Sequence, residues 1–164
     1  MSNLKKCLYF DDEIKTDKHP LDTTLFTLNK KYGLEIDPVD NLREVEIKLK
    51  SGNYCLILLD IRIDESKGGG IGNREWQRTG IELLTRIRNG IYEPNTPKDI
   101  PVVVITAVAD AEAQSEIISI GKGENEQYKI ALFEKPADDD EIGITAKEFL
   151  DSLTNKDDSN NIKK

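Results

Sequence analysis

The chain has 164 residues, 33% of them charged, with 23 Lys and Arg against 31 Asp and Glu for a net charge of -8. That length suits one domain with one sizeable core. The acidic balance argues against nucleic-acid backbone or anionic membrane as main partner, since both select clustered Lys and Arg, and no apolar run approaches a membrane span.

The N-terminus MSNLKK lacks a signal peptide's apolar region and leads directly into a short apolar strand, Lys5 to Phe10. After Pro20, Leu21, Leu25, Leu28 and Tyr32 recur at helical spacing, and Gly33 stops the helix. His19 stands at that helix start, a surface or capping position. Leu34 to Val39 reads as a weaker strand. Asn41 with Glu44 resembles a capping box, and Leu42, Val45 and Leu49 form a stripe closed by Gly52.

The third strand is expected over Tyr54 to Asp60. Its core is an unbroken apolar run, as in a strand buried on both faces of a parallel sheet, yet it ends on a carboxylate. Thr79 with Glu82 predicts the next helix start, with Leu83, Leu84 and Ile87 on its buried face and Gly90 at its end. Ile100 to Thr106 is a β-branched strand. Asp110 caps a helix running through Ile120, Lys129 to Glu134 is a fifth strand, and Asp138 to Asp140 open a last helix reaching residue 153. The polar remainder, 154–164, is expected to be without fixed structure.

Strands alternating with helices point to an α/β domain with a parallel sheet, spacing alone leaving the strand order open. Two connections exceed what such units need, at about 62–79 and 89–100. Cys7 and Cys55 both fall in expected strands and read as core residues of a reducing compartment.

In an open α/β sheet, ligands bind beyond the carboxyl ends of the strands. Strand one delivers Asp11 and Asp12 there, strand three Asp60, strand four Thr106 and strand five Lys135. Three close carboxylates repel one another unless a cation intervenes, and Mg²⁺ is the hard, oxygen-seeking candidate. Asp60 beside such a metal and an ammonium can act as nucleophile toward a phosphoryl donor, forming an aspartyl phosphate. Mg²⁺, Lys135 and the Thr106 hydroxyl could meet the charge on the transferred group.

In this order, FDDE, LLDIRI, GIELL, VVVITA and FEKP resemble the receiver domain of two-component response regulators, over roughly residues 4 to 153. The resemblance implies a doubly wound, flavodoxin-like fold with a five-stranded parallel sheet of order 2-1-3-4-5. It implies Asp60 as phosphoacceptor, Asp11, Asp12 and Asp60 with the backbone carbonyl of Arg62 as Mg²⁺ ligands, Thr106 as switch hydroxyl and Lys135 as the phosphate-pairing lysine. By the same token Lys135–Pro136 is a bond often cis in the family. The implied role is a stand-alone, cytoplasmic phosphoacceptor in a histidine-to-aspartate phosphorelay. It would be a phosphoprotein of signal transduction, catalysing only its own phosphorylation and dephosphorylation. A sensor histidine kinase or phosphotransfer protein would supply the phosphoryl group. An output protein would read the state, with no direct nucleic-acid contact, and receivers often form homodimers through the fourth and fifth helices. A degenerate receiver, acting as a constitutive interaction module, is the alternative.

Departures from the family pattern are also visible. Asp64 stands where a proline is common, Gly80 opens the third helix late, and the segment before Lys135 is expanded. The family's switch aromatic three residues before the lysine is here Leu132, with Phe133 one residue on. That offset points a strand side chain to the other face. GGGIG at 68–72 lacks the Lys-Ser/Thr of a phosphate loop and reads as flexible loop. Trp76 is a partner anchor or a cover for its own loop. Arg62, Arg74 and Arg78 are solvated charge or an attraction for a phosphate donor or acidic kinase surface. A haloacid-dehalogenase-type phosphatase would need a second acid where Arg62 stands.

Overall fold

The computed structural model describes residues 5–10, 21–39, 42–61, 71–106, 111–124, 126–134 and 138–162. In chain order the elements are β1 (Lys5–Phe10), α1 (Leu21–Tyr32), β2 (Leu34–Val39), α2 (Leu42–Ser51), β3 (Leu56–Ile61), α3 (Ile71–Arg88), β4 (Val102–Thr106), α4 (Ala111–Lys122), β5 (Ile130–Glu134) and α5 (Asp139–Ile162). The five strands are all parallel, in the order β2-β1-β3-β4-β5. This is the doubly wound sheet expected.

Alternation along the strands builds two cores. Leu8, Phe10, Ile57, Leu59, Val102 and Val104 point to one face, where Val45 and Leu49 of α2, Leu83, Leu84 and Ile87 of α3, and Ile117 of α4 cover them. Cys7, Tyr9, Leu56, Leu58, Val103 and Ile105 point to the other, under Leu28 of α1 and Ile142, Ala146 and Leu150 of α5. Burial on both sides is why the central strands read as unbroken apolar runs. Gly33, with φ +68, ends α1 in the left-handed conformation open to glycine.

Several boundaries differ from expectation. β3 starts two residues late, because the Cys55 N–H bonds back to the Lys6 carbonyl before the ladder begins. β4 starts at Val102, after Pro101, which has no N–H to contribute to a ladder. α3 begins at Ile71 and not at Thr79, so Arg74, Trp76 and Arg78 lie on a helix. The stretch from Ile71 to Arg78 holds no proline, and its Arg, Glu and Gln are good helix formers. α5 likewise continues through Ile162 where a structureless tail was expected. No proline or glycine follows Gly143, and each residue added to an existing helix gains a backbone bond.

The 89–100 connection is a series of turns with an interior of its own. Tyr92, Thr96 and Ile100 are buried. Thr96 Oγ1 donates to the Leu49 carbonyl at 2.7 Å, and the Asn95 side-chain amide donates to the Lys50 carbonyl, so the segment caps the end of α2. Arg88, the last residue of α3, is 7% exposed. Its guanidinium donates to the carbonyls of Gly121 (2.7 Å), Lys98 (2.8 Å), Ile100 (2.6 Å) and Lys129 (3.1 Å). It also lies 5.2 Å from the Tyr128 ring centroid. Burial pushes its pKa down to about 10, which leaves it charged at neutral pH.

The first turn of α5 docks on the last turn of α1. Lys31 Nζ and Tyr32 OH, in the last turn of α1, both donate to Asp140 in the first turn of α5, at 2.7 and 2.8 Å. Gly143 is so close to the Tyr32 ring that a Cβ there would overlap it. Ile142, Ala146 and Leu150 continue from this junction into the core shared with Leu28 of α1.

Candidate functional site at the carboxyl edge

The ladder registers bring the expected strand ends together. Asp60 of β3 stands opposite Ile105 of β4, and Ile61 opposite Thr106. Thr106 in turn stands opposite Glu134, the last residue of β5. Phe10, the last residue of β1, pairs with Leu59. The chain therefore leaves β1 toward Asp11 one ladder step below Asp60, and leaves β5 toward Lys135 in the row of Thr106. The apolar β3 run can end on a carboxylate because the run itself is the sheet's interior and Asp60 is at its rim.

Of the expected site residues, Thr106 is described in full and Asp60 through its backbone. Thr106 is buried with no exposed surface. Asp11, Asp12, Arg62 and Lys135 lie outside the described residues, as do His19, Asp64, Asp110, Pro136 and the glycines at 68–70, while Ile71 and Gly72 open α3. Among the described residues no group of three or more His, Cys, Asp or Glu is placed to hold a metal. The donor set expected from the sequence is carboxylates with a backbone carbonyl, hard oxygen chemistry that suits Mg²⁺.

Glu134 is a member of this edge that sequence reading passed over. It lies exposed beside buried Thr106, and its neighbourhood could have been read only with the β4–β5 register in hand. β5 also decides the question of the aromatic. Leu132 packs with the core under α3 and α4, while Phe133 packs with the opposite core under α1 and α5. Leu132 lines an open groove of about 670 Å³ along α4, with Gln114, Ser115, Ile118, Lys122 and Glu126 among the other walls. The side chain beside α4 at this height is thus aliphatic.

A second polar group, at the β2 edge, is structural. Lys48 Nζ donates to Asp37 Oδ1 at 2.7 Å and Tyr54 OH to Oδ2 at 2.5 Å. Burial pushes the Asp37 pKa up, but these two bonds outweigh it and hold the carboxyl below its usual value. The same burial, with the Asp37 charge, pushes the Tyr54 phenol up.

No protein-family model matches the chain, and no curated protein matches it. Solved structures do share its architecture. The receiver domain of a Francisella response regulator is 19% identical with a TM-score of 0.62, the match covering 91% of this chain and 98% of that one. A receiver-domain protein from Methanospirillum hungatei is 21% identical, also with a TM-score of 0.62, over 93% of this chain and 98% of its own. The receiver domain of a Pseudomonas aeruginosa sensor histidine kinase is 15% identical with a TM-score of 0.57, over 90% and 98% of the two chains. That structure holds a magnesium ion in its active-site cleft. At these identities the likeness establishes the fold, which is that of response regulator receiver domains. Among the described residues no helix is long and apolar enough to cross a membrane.

Proposed function

We propose that the chain is a phosphoacceptor receiver, phosphorylated on Asp60 in a histidine-to-aspartate relay. The observation that carries the reading is the register at the carboxyl edge, with Asp60, the penultimate residue of β3, one ladder step from Thr106 at the end of β4. Asp11, Asp12, Asp60 and the Arg62 carbonyl would hold Mg²⁺. When bound, that ion neutralises the crowded carboxylates and the oxygens of the incoming phosphoryl group.

The roles of the chain's own residues follow from where the sequence puts them. Asp60 offers a carboxylate oxygen to the phosphorus of a phosphohistidine. The new O–P bond forms as the P–N bond breaks, and the imidazole leaves with the bond's electrons. Lys135, following β5, pairs with the phosphoryl charge, and the Thr106 hydroxyl donates to a phosphoryl oxygen. Movement of Thr106 toward the phosphoryl group would bias the adjacent β4–α4 surface between two states. The partners are a histidine kinase or phosphotransfer protein upstream and an output protein downstream, in a bacterial cytoplasm.

A second reading is favoured by one observation. Leu132 packs with the core under α3 and α4 while Phe133 faces the other core, so an aliphatic side chain stands where the family's switch aromatic is expected. A constitutive interaction module would have no need of it. Beryllofluoride with Mg²⁺, a mimic of the phosphorylated carboxylate, separates the two. The switch predicts a rise in melting temperature that Asp60→Asn abolishes. The module predicts no rise in either protein.

A further inference from the structure

We infer that Cys7 and Cys55 form a redox-sensitive pair, two thiols held side by side at the amino end of the sheet that a peroxide converts to a disulfide. The inference does not depend on the role of Asp60, which stands at the other end of β3. Both cysteines are reduced in the structure. Cys7, in β1, pairs with Leu56, the first residue of β3. Cys55 directly precedes Leu56, and its N–H donates to the Lys6 carbonyl at 2.9 Å. The two cysteines are therefore diagonal neighbours on adjacent parallel chains. With strands about 4.8 Å apart and a rise of about 3.3 Å per residue, their Cα atoms lie about 6 Å apart. Disulfides span Cα separations of about 4.4–6.8 Å.

Separation alone is not enough, because diagonal neighbours on regular strands point to opposite faces of the sheet. Here the alternation breaks. Leu56 and Leu58 belong to one core, and Ile57 and Leu59 to the other. Continued backward, that pattern would put Cys55 with Ile57. Cys55 packs instead against the core that holds Cys7 and Leu56. The chain bends at Cys55, and the bend brings its thiol to the Cys7 side of the sheet. Access divides the roles. Cys7 has no exposed surface, whereas Cys55 is partly exposed. Cys55 therefore meets the oxidant and Cys7 resolves it.

With hydrogen peroxide, the Cys55 sulfur attacks one oxygen, the O–O bond breaks, and the other oxygen leaves as water with the thiol proton. The product is a sulfenic acid on Cys55. The Cys7 sulfur attacks that sulfur, the S–S bond forms, and the S–O bond breaks to release a second water. The two thiols lose two electrons in all, and the peroxide takes them.

The test treats the full, folded chain with hydrogen peroxide and reads intact mass, thiols by alkylation, and a peptide map made without reductant. The pair predicts a monomer that has lost two hydrogens and both thiols together, with the Cys7 and Cys55 peptides linked and released by dithiothreitol. Cys7→Ala should let a dimedone adduct accumulate on Cys55. Cys55→Ala should slow oxidation of Cys7 several-fold. Should either variant misfold, the peptide map of the unsubstituted chain decides alone. Retention of both thiols overturns the inference. So does over-oxidation of Cys55 with the Cys7 thiol intact, a Cys55–Cys55 link between chains, or a Cys7–Cys55 link that forms only after unfolding in urea.

Discussion

Arg88 Nε donates to the Gly121 carbonyl at 2.7 Å, tying the last residue of α3 to the end of α4. The same guanidinium serves carbonyls of the 89–100 segment and of Lys129, just ahead of β5. One buried side chain thus closes the amino end of the α3–α4–β5 side.

Arg88→Ala would strip four carbonyls of their shared donor and leave a cavity beside Tyr128. With each unsatisfied buried group costing about 1–3 kcal/mol and some relaxation to water, a loss of about 3–5 kcal/mol is expected. Arg88→Lys should recover only part, since an ammonium cannot reproduce the planar fork. Urea denaturation of the three proteins checks both the loss and the order.

Gly121 packs against Ile130 so closely that a Cβ would overlap the isoleucine side chain. Gly121→Ala is expected to destabilise by about 1–3 kcal/mol. Pairing it with Ile130→Val should return part of that loss, a coupling that a double-mutant cycle in urea would read.

The Asp37 cluster sets a pH dependence. Bonds from Lys48 and Tyr54 hold the folded-state pKa of Asp37 below the ordinary 3.8. The unfolded chain therefore binds that proton more readily, and stability rises with pH through this region. The contribution is fully present above the unfolded value and is lost as pH falls through 3.8 toward the lower folded value. Asp37→Asn should cost about 1–2 kcal/mol at neutral pH and flatten the stability profile below pH 4. A profile still as steep in the variant would assign the acid sensitivity to other groups.

The docking of α5 on α1 makes its own prediction. Gly143 lies against the Tyr32 ring, so Gly143→Val should push α5 from α1 and destabilise by about 1–3 kcal/mol. Tyr32→Ala in the same chain should relieve the overlap. If residue 143 did not lie against Tyr32, the two substitutions would simply add.

Much of this fold is legible in the sequence because its physics is local. The β-branched run before Thr106, the stripe Leu83, Leu84 and Ile87, and Gly33 after Tyr32 each declare an element from a few residues. Asp60 at the end of an apolar run declares a site for the same reason. The docking of α5 on α1 is not local. It depends on Asp140 meeting Lys31 and Tyr32 more than 100 residues earlier, contacts with no periodic signature. Trp76 and residues 154–162 read as loop and tail because polarity suggests them, whereas a polar segment without proline can extend a helix already nucleated. Arg88 gave no signal at all, since a buried arginine bonded only to carbonyls has no charged partner to find in the sequence.

The account's central claim is that Asp60 accepts a phosphoryl group. The most direct measurement is intact mass of the purified chain after incubation with acetyl phosphate and Mg²⁺, beside Asp60→Asn. The account predicts one added phosphoryl group on the unmodified sequence alone, removed by hydroxylamine as an acyl phosphate is. No addition to either protein, or equal addition to both, would contradict it.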